Sequence, residues 1–346
     1  MPEKLRIGLI GAGRIGRMHA EHIAFRVPKA ELAIVADVRR TSAEACAKAF
    51  GVSAVADDYR MLLERPEIDA VVICSPSPTH MEIIEAAAAA GKHIFCEKPL
   101  DLDLHRIDRA VAAVDSGGVL LQVGFNRRFD PSFQRLREAV LEGEIGEPHL
   151  LHLVSRDPSP PPTEFLRSSG GLFLDMTIHD FDMACFLLGP AIESVYATAR
   201  VLVDPAIGEA GDVDTAVVVL HYASGAIGTI DNSRQATYGY DQRAEVFGSK
   251  GSIRMQNAYP NTAWISSADH VRRDPPHHFF LERYREAYVQ ELRAFASAVL
   301  EGGPSPMSGR EARMPVVIGL AAQRSSEENR PVRLDEVDGS RRQNCS

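Results

Sequence analysis

The chain begins its ordered reading at Leu5-Arg6-Ile7-Gly8-Leu9-Ile10-Gly11-Ala12-Gly13-Arg14-Ile15-Gly16, an aliphatic run that passes without a spacer into G-x-G-x-x-G. The run predicts a buried strand, and the glycines predict a turn into a helix over 17–26. In such a turn Gly11 permits the tight bend, Gly13 lets the backbone approach a pyrophosphate, and Gly16 lets helix and strand pack closely, with phosphates on the helix N-terminus. Three glycines can also shape a turn that binds nothing, so the context decides. Asp37 closes the second aliphatic run, about twenty residues on, where a carboxylate can hold a ribose diol. That carboxylate would repel a 2′-phosphate and favours NAD, whereas Arg39 and Arg40 could accept the phosphate and keep NADP open.

Outward from this turn, Leu32–Ala36, Ala70–Cys74, His93–Cys96 and Leu120–Gly124 are further aliphatic runs, separated by helical stretches at Ser42–Phe50, Ser77–Ala90 and Leu104–Val114. Near-continuous aliphatic strands alternating with helices predict an α/β fold, a doubly wound parallel Rossmann sheet covered on both faces. After Phe125 the pattern changes. His149–Ser155, Ile192–Val203, Thr215–His221, Ala226–Asn232 and Ala244–Phe247 read as more alternating strands, with helices at Gly171–Leu188 and Tyr284–Leu300. They predict a C-terminal α+β domain on a large mixed or antiparallel sheet. The expected division is a nucleotide-binding domain over 1–124, a substrate and oligomerisation domain over 125–337 and a loose polar tail over 338–346. Asp157–Thr163 and Asp269–His278 read as surface loops.

At 346 residues the chain is long enough for two cores. A formal net charge of −9 gives no reason to expect nucleic acid or an anionic membrane as partner. No run approaches the ~18 apolar residues of a membrane span. Five cysteines without C-x-x-C spacing (Cys46, Cys74, Cys96, Cys185, Cys345) argue for reduced thiols and a cytoplasmic setting.

Two clusters carry the chemistry. His93-Ile94-Phe95-Cys96-Glu97-Lys98-Pro99 ends what reads as the fourth strand, and ligands in open parallel sheets sit beyond strand carboxyl ends. An ammonium at Lys98 can there hydrogen-bond a substrate oxygen and stabilise alkoxide character, although a surface lysine is the bland alternative. In Gly171–Asp182, read as one helix, Leu174, Ile178, Phe181 and Cys185 form the buried stripe. Asp175, His179 and Asp182 share a neighbouring face. Imidazole suits a base near neutral pH, so His179 is the candidate base and Asp175 its orienting partner. The same face could be merely solvated, or could hold zinc or manganese.

Together Gly11–Gly16, Asp37, Glu97-Lys98-Pro99, Gly124–Asp130 and Gly171–Asp182 resemble the Gfo/Idh/MocA oxidoreductases over nearly the whole chain. Ser155–Pro158, Asp175–Asp182 and Ala236–Asp241 are most similar to that family's inositol-oxidising members. The resemblance implies NAD as cofactor, a cyclic polyol as substrate, a homotetramer joined through the open sheets, and catalysis by Lys98, Asp175 and His179, with no metal. It extends the cofactor contacts from Gly11, Gly13, Gly16 and Asp37 to Arg14, Ile15, Val38, Arg39, Ser75, Pro76, Thr79, His80, Glu97 and Lys98. It places substrate contacts on Lys98, Arg127, Asp157, Asp175, Thr177, His179, Tyr238 and Tyr240, with Tyr284 and Tyr288 as further candidates. Some relatives carry histidine at Ser155, which leaves the polyol open, as does the range of other cyclitols and aldoses. Certain relatives are non-catalytic dinucleotide sensors. A cis Lys98–Pro99 bond is also expected.

Overall fold

A computed structural model describes residues 4–339. In chain order the elements are β1 Leu5–Ile10, α1 Arg14–Arg26, β2 Ala30–Ala36, α2 Arg40–Phe50, β3 Ala54–Ala56, α3 Arg60–Leu63, β4 Ala70–Ile73, α4 His80–Ala89, β5 His93–Glu97, α5 Leu104–Gly117 and β6 Leu121–Gly124. Next come α6 Pro131–Leu141, β7 Pro148–Arg156, α7 Thr163–Ser169, α8 Gly171–Asp175, α9 Ile178–Leu188, β8 Ile192–Arg200, α10 Pro205–Glu209, β9 Thr215–Tyr222, β10 Ile227–Ser233, β11 Asp241–Gly248 and β12 Gly251–Met255. The chain ends with β13 Trp264–Ser266, β14 Val271–Arg273, α11 Phe280–Arg283, α12 Arg285–Glu301, α13 Gly309–Glu328, β15 Val332–Arg333 and α14 Asp335–Asp338. No helix among the described residues is long and apolar enough to cross a membrane.

Among the described residues two compact units result, one of the chain up to residue 129 together with 286–313, the other of 130–285 together with the chain from 314 on. In the first, six parallel strands run in the order β3-β2-β1-β4-β5-β6. Its strands are aliphatic on both faces because helices cover both; Leu9, Val71, Val72 and Phe95 are fully buried. The three-residue β3 escapes a reading from the sequence, so His93–Glu97 is the fifth strand, not the fourth. Helix α12 belongs here and not to the second unit, because Leu292, Phe295 and Ala296 pack into the same core as Leu5, Ile7 and Leu9. The unit is therefore closed by a segment that follows the other unit in sequence.

The second unit has a seven-stranded mixed sheet, β12-β11-β7-β10-β9-β8-β15. Along β9 and β10 burial alternates residue by residue, with Val218, Leu220 and Ile230 inside and Val217 and Ile227 outside. All its neighbouring pairs are antiparallel except β7 with β10, which run parallel. That pairing brings the carboxyl ends of both strands to one edge of the sheet, where β11 starts: Arg156 stands opposite Ser233 on one side and Asp241 on the other. The proline-rich loop after β7 runs into α7 at Thr163, and the expected loop 269–278 contains β14, half of a small exposed hairpin. The expected tail, 338–346, lies almost wholly outside the described residues, as does Cys345; the other four cysteines are free thiols.

Candidate active site

The turn after β1 is built on backbone contacts. Gly11 has φ +94°, a left-handed conformation, and a Cβ there would fall 2.7 Å from the Cys74 carbonyl carbon. A Cβ on Gly16 would lie 1.9 Å from the Gly11 carbonyl oxygen, whereas one on Gly13 would meet nothing within 4 Å. Gly16 is thus required for packing, and Gly13 for the space in front of the turn. No side chain caps α1 and no acidic residue stands in its first turn, so its amide end keeps its positive character for a phosphate. The Asp37 carboxylate accepts from the Ala12 and Arg39 amides, both at 2.8 Å, which ties the end of β2 to the glycine turn. Gly13, Arg14, Val38 and Arg39 are exposed around it, with Ile15 half-buried. This donor set fits NAD, with Asp37 at the ribose and the α1 amides at the pyrophosphate.

Beyond β4, Ser75 and Thr79 hydroxyls are 2.7 Å apart, and Thr79 also donates to the Pro76 carbonyl. His80 faces inward, contrary to its expected place on the cofactor. Its ring nitrogens lie 2.9 Å from the Pro99 and 2.9 Å from the Ser75 carbonyl oxygens, bracing the loops after β5 and β4. Burial, stronger than those two carbonyls, lowers its pKa below the usual imidazole value. Lys98 is half-buried at the end of β5, and its bond to Pro99 is cis. Arg127 is buried in the 3-10 turn 126–129.

In the second unit the expected single helix is two. The Leu172 carbonyl accepts from the Met176 and Thr177 amides, and the helix restarts as α9 with Thr177 as its N-cap. From Leu172 to Cys185 every residue is buried except Asp175 and His179. Asp182, expected on their face, is buried instead, because the restart turns it into the core. Thr177 is buried too, its hydroxyl 2.7 Å from Asn232, whose amide nitrogen reaches Asp180 at 2.9 Å.

Arg234 is a residue that the sequence reading missed. It is 1 % exposed, and its guanidinium lies 3.4 Å from the Asp175 carboxylate and 3.2 Å from that of Asp212. Asp212 in turn accepts the Leu172 amide at 2.9 Å. Both Asp175 and the start of its helix are thereby fixed to one cation. An arginine just past an alternating strand looks like a surface residue in sequence; only its partners, 59 and 22 positions away, reveal it.

Asp157 and the 234–240 segment leave the shared edge of β7 and β10, and the Asp157 carbonyl accepts the Ala236 amide at 2.6 Å. Tyr238 is exposed, its hydroxyl donating to Asp241 and accepting from Arg156, which also pairs with Asp231. Tyr240 is buried edge-on against Tyr284, and the Tyr284 hydroxyl donates to Gln242. Ser155 is buried on the same Gln242. Tyr288, on α12 in the first unit, packs edge-on against His19.

Residues 5–125 match the family model described as an oxidoreductase family NAD-binding Rossmann fold, and residues 133–254 match the GFO/IDH/MocA C-terminal domain. A myo-inositol 2-dehydrogenase of Thermotoga maritima is 50% identical over 97% of this chain and 100% of its own length. An inositol 2-dehydrogenase of Rhizobium meliloti is 47% identical over 95% of this chain and 99% of its own. The chain belongs to the Gfo/Idh/MocA oxidoreductase family. A crystal structure of the scyllo-inositol dehydrogenase of Lactobacillus casei with bound NAD(H) and scyllo-inositol superimposes with a TM-score of 0.90 at 30% identity, over 96% of this chain and 99% of that one. This Gfo/Idh/MocA protein is accordingly an NAD-dependent oxidoreductase.

The two glycines separate packing from binding. Gly16→Ala should cost about 3 kcal/mol or more of unfolding free energy, whereas Gly13→Ala should unfold like wild type and lose NAD affinity, read by denaturant titration and calorimetry. Wild-type NAD affinity in Gly13→Ala would contradict the assignment. Arg234→Leu leaves two carboxylates without their cation and should destabilise the protein by about 3–5 kcal/mol, while Arg234→Lys, keeping the charge, should lose less. Equal thermal stability of the Leu variant and wild type would remove Arg234 from this role.

Proposed function

We propose that this protein oxidises one secondary hydroxyl of a cyclic polyol, with myo-inositol as the preferred substrate and the 2-keto cyclitol as product. The observation that carries the reading is the emergence of Asp175 and His179 alone from an otherwise buried stretch. The names of the relatives at 47–50% identity support the substrate. NAD, when bound, supplies the acceptor for the hydride that leaves the carbinol carbon. His179 takes the hydroxyl proton as general base. Lys98 donates a hydrogen bond to the same oxygen and stabilises its developing negative charge. Asp175, held by Arg234, accepts from a neighbouring hydroxyl or orients the imidazole. Arg127, Asp157, Tyr238 and Tyr240 are the further candidates for holding the ring. The complete set of three catalytic side chains favours an enzyme over a dinucleotide sensor.

We also assign the open face of the seven-stranded sheet to contact with further copies of the chain, as a homotetramer. Phe247, Leu150 and Ile227 stand in register on β11, β7 and β10, all exposed on that face, so three apolar side chains form one row across adjacent strands.

His179→Ala should lower kcat for myo-inositol by about 10²–10⁴-fold with NAD affinity retained, and Lys98→Ala should lower kcat by about 10²–10³-fold. On a panel of myo-inositol, scyllo-inositol and glucose, brisk glucose turnover without inositol turnover would replace the substrate, and no turnover at all would favour the sensor. The double variant Leu150→Lys, Phe247→Lys should lower the mass read by light scattering while leaving the fold intact by circular dichroism. An unchanged mass would place the interface elsewhere.

A further inference from the structure

Glu291 lies in α12 of the first unit, and its side chain is fully buried with no hydrogen-bond partner for either carboxyl oxygen. A Glu291 oxygen, a Glu97 oxygen and a His19 ring nitrogen all lie within 4.8 Å of one another. Nε2 of His19 is 2.6 Å from Oε1 of Glu97. Phe95 and Tyr288 pack edge-on against the His19 ring, with Phe295 behind Phe95, so the cluster sits in an apolar shell. Gly124 leaves room for it, since a Cβ there would stand 3.1 Å from the Glu97 carboxyl group. The backbone is also fixed, with the Glu291 carbonyl accepting from Gln122 at 3.0 Å.

Two close carboxyl groups in such a shell need either a cation or a proton between them. Tetrahedral ligand atoms each about 2.0–2.2 Å from a zinc ion stand more than 3 Å apart, so a 2.6 Å histidine to glutamate contact has the length of a shared proton and not of a metal bridge.

We propose that Glu291 is a neutral carboxylic acid that directs its proton to Glu97, so that His19, Glu97 and Glu291 form a proton-sharing cluster, open to solvent only at Glu97, that positions the strand end carrying Lys98. Burial, and after it the Glu97 carboxylate, push the Glu291 carboxyl well above the usual carboxylate range. The Cys74 thiol stands beside both Glu97 and Glu291 and the Cys96 thiol beside Glu97, and burial pushes both up and keeps them neutral; the Tyr288 ring packs on His19. Glu97 lies 2.6 Å from His19 on one side and would accept the Glu291 proton on the other, and the residue after it is Lys98. Glu291 is a positioning residue; this role rests on the assignment of Lys98 to the reaction.

Infrared difference spectra of the full chain without substrate, wild type against Glu291→Gln, test the acid directly. A protonated-carboxyl stretch should appear in wild type at neutral pH, shift on 13C-glutamate labelling and vanish in the variant. Glu291→Gln, which keeps shape and a donor, should hold kcat within about threefold of wild type. Glu291→Leu should lose about tenfold or more in kcat, a loss that Glu291→Gln avoids. Absence of the band, wild-type kcat in Glu291→Leu, or a stoichiometric divalent metal in the isolated protein that His19→Gln removes would each overturn the proposal. The infrared arm does not depend on turnover: if Lys98→Ala proved fully active, the band would still report on the acid while the positioning role fell.

Discussion

The nucleotide-binding unit depends on a backbone contact that no side chain could survive: the Cα of Gly16 rests against the Gly11 carbonyl. Because α1 comes this close to β1, its uncapped amide end opens directly over the carboxyl end of the strand. The Gly11 amide then bonds to Ala36, and Asp37, the next residue, reaches back to the Ala12 amide. The turn, the end of β2 and the Asp37 carboxylate are thus one hydrogen-bonded piece. The parallel sheet does the rest, since it delivers the ends of β4 and β5, with His80 strapping their loops together, to the same edge.

Behind the candidate reacting groups, both units bury polar side chains where apolar packing would be cheaper. Arg234 sits in the core between Asp175 and Asp212, and Glu97 lies beside His19 and Glu291. On the roles proposed for Asp175 and Lys98, each arrangement would serve orientation. A carboxylate free to rotate would offer its substrate several poses, while one tied to a buried guanidinium offers few, and the loss of conformational freedom is taken at folding instead of at binding. The price is sensitivity, since removing one partner strands another charge in the interior.

What could be read from the sequence follows from the same physics. Strands covered on both faces must be aliphatic throughout, so β1, β4 and β5 were legible, and the glycine spacing carried its own structural meaning. Ala54–Ala56 was not, because three small residues have no period. The break between α8 and α9 was hidden because no glycine or proline marks it; the Thr177 amide bonding back five residues to the Leu172 carbonyl does the work, and Thr177 reads equally well inside a helix. Lys98, Asp175 and His179 stood out by chemical type and motif. Arg234 and Glu291 did not, since what makes them informative is burial beside distant partners, and a polar residue in sequence defaults to the surface. Helix α12 was legible as a helix but not as a member of the first unit, because amphipathicity says that a face is covered without saying by what.

The one parallel pairing in the second sheet explains how its two faces and its edge divide their tasks. Had β10 run antiparallel to β7, its carboxyl end, with Arg234 and the tyrosines after it, would have emerged at the opposite edge from Asp157. Running parallel, it places Asp157, Arg234 and Tyr238–Asp241 at one edge, where the start of β11 completes the set. The side chains that position Asp175 therefore come from strand ends, not from either face. One face stays buried under helices, and the other carries the row from Phe247 to Ile227. A change on the open face can then leave Arg234 in place, since the groups at the edge are held by backbone pairing and not by what covers the sheet.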